Sequence, residues 1–133
     1  MAINLRAVKL EQPLTVYKLT DQDGCTRNKT QWGPGVKHTV DGQGDLCESG
    51  WLHSYESPLL AVLHNPIHAY IKAPRLFSAV ASGHILRDNQ MKLGSTELTT
   101  VEEIALPVIT VAQRVRYGIL CALSVCPDDN FSK

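Results

Sequence analysis

Between Pro74 and Gly83 the chain runs Arg75-Leu76-Phe77-Ser78-Ala79-Val80-Ala81-Ser82, an apolar stretch closed at both ends by residues that interrupt regular structure. A bounded run of this length with so little polarity reads as a strand buried in a sheet. His84-Ile85-Leu86 continue it past a bulge at Gly83, because an isolated glycine inside a strand marks a bulge or a close backbone approach. Such a strand needs partners, and the flanking sequence is read for them.

Leu14-Thr15-Val16-Tyr17-Lys18-Leu19 combines β-branched and aromatic residues with rough alternation, and Asp21-Gln22-Asp23-Gly24 ends it with turn chemistry. After Gly33-Pro34-Gly35, the positions Val36, His38 and Val40 alternate with Lys37 and Thr39, as in a half-buried strand closed by Asp41-Gly42. Ser57-Pro58-Leu59-Leu60-Ala61-Val62-Leu63 is a helix start, with Ser57 as N-cap and Pro58 at the first helical position. Pro66 stops that helix at or before Asn65. Thr96 to Leu106 is ambiguous: Leu98, Val101 and Ala105 fit a helical spacing and Thr99 with Glu102 resembles a capping box, while Thr99, Thr100 and Val101 favour a strand. From Val108 to Cys126 the positions Val108, Val111, Ala112, Val115, Ile119, Ala122 and Leu123 recur every three or four residues, which predicts an amphipathic helix.

These elements predict one α+β domain over residues 1–133: a mainly antiparallel sheet, one short helix, and a longer C-terminal helix packed against it, with 127–133 a frayed tail. A domain of this size buries roughly two thirds of its unfolded surface, enough for a core without staples. Thirteen basic residues balance thirteen acidic ones, so no net field draws the chain to nucleic acid or to an anionic membrane. The opening Met1-Ala2-Ile3-Asn4-Leu5-Arg6 lacks a basic-then-apolar leader, and no apolar stretch approaches the ~20 residues of a membrane span. The expectation is a cytoplasmic protein whose four cysteines, Cys25, Cys47, Cys121 and Cys126, are reduced.

The densest polar segment is Leu46 to Ser57, which holds a thiol, an imidazole, hydroxyls, two carboxylates and two aromatic rings ahead of a helix. Read as a ligand site, it makes Trp51, His53, Ser54 and Tyr55 the wall of a nucleotide or phosphate pocket, joined by Tyr17, with Arg114 and Arg116 as phosphate contacts. Read structurally, Trp51 is a core anchor, Ser57 a cap and His53 a local hydrogen-bonding group, and the arginines are solvated. The sequence leaves open whether Trp32 and Trp51 stand in a core or a pocket.

No metal or cofactor is expected. His53, His64 and His68 with Cys47 lack the paired ligand spacing of a zinc site, and Pro66 interrupts the helix that would align His64 with His68. No catalytic set is complete: Cys47 and His53 form a thiol–imidazole pair only in name, and Glu102-Glu103 cannot both face one ligand from a strand. Walker loops, dinucleotide glycine fingerprints and nucleophile elbows are absent.

The order of segments resembles a family of short, mostly uncharacterised phage and bacterial proteins, over roughly Val16 to Thr110. The likeness rests on Tyr17-Lys18-Leu19, Cys25-Thr26-Arg27, Leu46-Cys47-Glu48-Ser49-Gly50-Trp51-Leu52-His53 leading into Ser57-Pro58-Leu59-Leu60, and the strand Leu76 to Gly83. It implies a non-enzymatic phage-type accessory protein that binds a host protein or sequesters a small nucleotide, with countering host defence as a natural role. A more distant likeness is to ADP-ribosyltransferases, through the order of Tyr17-Lys18, His53-Ser54 and Glu102 or Glu103. It implies an NAD-binding enzyme as the alternative, although the arginine, the Ser-Thr-Ser triplet and the Glu-x-Glu motif of that family are missing. A structural homo-oligomer joined through the stripe of the last helix is the third reading.

Overall fold

A computed structural model of the chain describes residues 3–26, 29–63, 73–88 and 92–123. The elements run β1 (Val8–Lys9), β2 (Leu14–Thr20), β3 (Cys25–Thr26), β4 (Thr30–Gln31), β5 (Lys37–Thr39), β6 (Leu52–Ser54), α1 (Pro58–Leu63), β7 (Arg75–Asp88), β8 (Lys92–Ile104) and α2 (Val111–Leu123). The architecture is α+β, a mostly antiparallel sheet with two helices.

The apolar run after Pro74 is the spine of the sheet. β7 pairs antiparallel with β8, and the register shifts between Ser82 and Ile85, where the sequence places its bulge. Gly83 takes a φ of 78°, and Leu10 N–H and Thr96 Oγ1 engage the irregular segment through the Gly83 carbonyl and His84 N–H. The ambiguous Thr96–Leu106 stretch is strand as far as Ile104, the end of β8. Pairing with both β7 and β5 outweighs a helical spacing that offered no comparable burial.

Two further strands lie on each side of this pair. β1 and β2 both pair with β7, and β5 and β6 both pair with β8. The sheet then curls on itself. Tyr17 in β2 and Tyr55, one residue past β6, form an antiparallel bridge, so β2, β7, β8 and β6 make a closed circuit. Inside it Val16, Trp32, Ala79, Ala81, Ile85, Leu93 and Leu98 form the main core, with Leu52 packed against them.

The short helix begins as its sequence dictates. Ser57 Oγ accepts from the N–H groups of Leu59 at 3.2 Å and Leu60 at 3.5 Å. α1 ends at Leu63, ahead of Pro66, which lies outside the described residues, as do the tail at 127–133 and His64 and His68. Ala61 and Val62 bury against Leu19 and Leu76.

The C-terminal helix departs from expectation. It begins at Val111 rather than Val108, because Thr110 and Gln113 exchange side-chain to backbone bonds as a reciprocal cap. The packing of its apolar stripe on the sheet is also corrected: Val111, Val115 and Ile119 are 79%, 59% and 58% exposed. The core clusters of the sheet are already filled from β2, β7, β8, α1 and the loops, and only Ile109 of the approach segment joins them.

Candidate functional site

The closure at Tyr17–Tyr55 gathers most of the polar segment into one place. Tyr17 N–H donates to the Tyr55 carbonyl at 2.7 Å and Tyr55 N–H to the Tyr17 carbonyl at 3.0 Å, so β6 is held between β2 and β8. The side chains of both tyrosines pack on the cluster of Leu19, Ala61, Val62 and Leu76. Tyr17, Trp51, His53, Ser54 and Tyr55 are therefore neighbours in the fold, whereas Arg114 and Arg116 stand exposed on α2.

Trp51 is an anchor of the core. It is 3% exposed, packs with Leu46 and Leu86, and donates its indole N–H to the Gly44 carbonyl at 3.0 Å. Gly94 lets it approach, since a Cβ there would lie 2.9 Å from Trp51 Cβ. Trp32 is likewise core: its indole N–H reaches Thr26 Oγ1 at 3.0 Å, and its ring meets the His38 ring edge-on at 4.5 Å. His53 engages the Leu46 carbonyl through Nε2, which ties the Leu46–Gly50 loop to β6. Ser54 is fully buried.

Sequence reasoning passed over Lys18. It is 9% exposed, donates from Nζ to the His53 carbonyl at 2.5 Å, and lies 5.3 Å from the centre of the Trp32 ring. Burial, with the nearby charge of Lys92, lowers its pKa to about 7. Lys92 is also buried and donates to Cys47 Sγ at 3.8 Å. The sequence carried only part of the signal. Lys18 is two residues from Val16 on a strand, so both point to the same face.

The cysteines correct one expectation. Cys25 is a free thiol, as anticipated, but Cys47 is disulfide-bonded. The expectation of reduced thiols rested on compartment, which carries no information on which sulfurs the fold brings together. As a disulfide, Cys47 is no thiolate partner for His53.

The acidic pair divides. Glu103 forms a two-point ion pair with Arg75, at 2.8 and 3.2 Å, which holds its carboxyl below the usual range, and Glu102 is exposed. Among the described residues no group of three or more His, Cys, Asp or Glu side chains is placed to hold a metal, and no helix is long and apolar enough to cross a membrane. No family model, no curated protein and no solved structure matches this chain.

Proposed function

We propose that this chain is a non-catalytic accessory protein that works by binding another protein, a host protein in the phage setting that the family resemblance implies. One observation carries this reading: the stripe of Val111, Val115 and Ile119 on α2 is exposed, although its spacing is that of a packed helix face. Positions i, i+4 and i+8 present one continuous apolar strip, the form in which an amphipathic helix enters a groove on a partner. Val108 and Leu106, 89% and 43% exposed, add apolar surface just before the helix.

Charge chooses among occupants. Arg114 and Arg116 flank the stripe, and no Asp or Glu occurs between Ile104 and Pro127. A groove with an acidic rim complements this surface, while a second copy of the same helix brings arginines to arginines. The NAD-enzyme alternative gains less, because Glu103 is engaged by Arg75 and Trp51 offers no open face for stacking.

The test places a photo-crosslinking residue at Val115 and, separately, at Leu5, an exposed apolar position outside the α2 sequence. A host protein captured from Val115, not from Leu5, and lost with Arg114→Glu/Arg116→Glu supports the reading. Self-crosslinking at Val115 with a monomer–dimer equilibrium in sedimentation replaces it with the structural oligomer.

A further inference from the structure

The closed circuit also brings together polar groups that no part of the protein-binding reading uses. The Tyr17–Tyr55 bridge sets Lys18 opposite Ser54, and β6 sets Ser54 opposite Leu93 and Leu52 opposite Ser95. Opposite residues of an antiparallel pair share a face, so Lys18, Ser54 and Ser95 lie on the same inner side, Lys18 directly across from Ser54 and Ser95 one diagonal step from Ser54. Ser54 and Ser95 are 0% exposed, and among the described residues the Oγ of each has no hydrogen-bond partner.

All three groups can donate. An ammonium has three N–H donors, of which Lys18 gives one to the His53 carbonyl, and each serine hydroxyl brings another. The described ion pairs join Lys37 to Glu97, Arg75 to Glu103 and Arg87 to Glu56, and none supplies a carboxylate to Lys18. The surroundings are Val16, Trp32, Leu52 and Leu93, a low-dielectric setting in which opposite charges attract strongly. Lys92, beside Leu93 on β8, adds a second positive charge, while the His53 ring is turned to the Leu46 carbonyl.

We propose that Lys18, Ser54 and Ser95 form an internal binding site for a small oxyanion, a phosphate or carboxylate group, held by the ammonium and the two hydroxyls. The bound charge compensates the buried Lys18 ammonium and favours its protonated state, so binding near neutral pH takes up a fraction of a proton. The site is separate from α2 and stands or falls without the protein-binding reading.

The experiment uses the full chain, with inorganic phosphate and acetate as probes, titrated against chloride at constant ionic strength. Thermal unfolding and calorimetry in two buffers of different ionisation enthalpy are the readouts. The expected result is saturable stabilisation by one oxyanion beyond chloride, with buffer-dependent heat from proton uptake. Phosphate alone identifies a phosphate site, and acetate alone a carboxylate site. Lys18→Met should abolish the effect, and Ser54→Ala/Ser95→Ala should weaken binding about tenfold or more. Both variants remove buried polarity and should remain folded. Equal stabilisation by chloride, equal response of Lys18→Met, or no response to either oxyanion overturns the site.

Discussion

Tyr17 and Tyr55 exchange both of their main-chain hydrogen bonds, at 2.7 and 3.0 Å, and this single bridge joins the two outer strands of the β7–β8 pair. Without it, β2 and β6 would each present a free edge to solvent. With it, the sheet encloses Lys18, Ser54 and the Val16–Leu93 core, so one local contact creates the inner face on which the anion site depends.

Tyr55→Pro tests the closure. Proline removes the N–H that reaches Tyr17, and the extended conformation it imposes on Ser54 suits a residue ending a strand. Loss of that bond, leaving the Tyr17 carbonyl without its partner, should lower stability by about 1–3 kcal/mol. Urea unfolding of Tyr55→Pro beside Tyr55→Ala, which loses the ring but keeps the N–H, separates the backbone bond from the side chain. If both variants unfold together, the bridge is not what holds the circuit.

Gly83 should tolerate no side chain. Its φ is 78°, and a Cβ there would meet Thr96 Oγ1 at 2.3 Å, the same oxygen that accepts from His84 N–H. Gly35 shares the backbone conformation, φ 76°, but has nothing within reach of a Cβ. Gly35→Ala should cost about 1 kcal/mol for the conformation alone, whereas Gly83→Ala adds the clash and should cost about 2–4 kcal/mol. Matched equilibrium unfolding curves check this, and equal losses would mean that Thr96 moves aside freely.

The exposure of α2 makes a prediction that runs against its sequence pattern. Val115→Asp in a packed helix would bury an unpaired charge and unfold the protein. Because Val115 is 59% exposed, the substitution should change stability by no more than about 0.5 kcal/mol while removing partner capture. A large fall in melting temperature would show that the stripe is packed in solution.

Local signals were legible where local chemistry decides the outcome. Pro74 and Gly83 marked the limits and the bulge of β7, and Ser57-Pro58 marked the start of α1, because turn geometry and capping depend on a few adjacent residues. The alternation of Val36, His38 and Val40 likewise appears as half-buried positions around β5. The Thr96–Leu106 stretch was undecided since its strand identity comes from partners distant in the chain. The residues of the polar segment lie together in the fold, and of the two readings open for Trp51, pocket wall or core anchor, the structure shows the anchor, packed with Leu46 and Leu86. Lys18 escaped notice because a lysine within an alternating strand is ordinarily assigned to the wet face. Only closure of the sheet puts its face inside.

Lys18 should therefore leave its mark on the pH dependence of stability. Its pKa falls from the ordinary 10.5 of an unfolded lysine to about 7 in the fold, chiefly from burial and secondarily from Lys92. Between these two values the unfolded chain binds more protons than the folded one, so this group makes stability rise with pH. Below about 7 both states are protonated and its unfavourable contribution is complete and constant; above 10.5 both are neutral and it has vanished. Lys18→Met removes the group while retaining a long apolar stem. The variant should gain on the order of a few kcal/mol at pH 6, with the gain shrinking steadily as pH rises toward 10. Urea midpoints of both proteins between pH 6 and 10, in chloride buffers free of phosphate and carboxylate, measure the difference directly. A constant offset between the two curves would mean that Lys18 reaches solvent and titrates as an ordinary lysine, and the inner face would then be open to water.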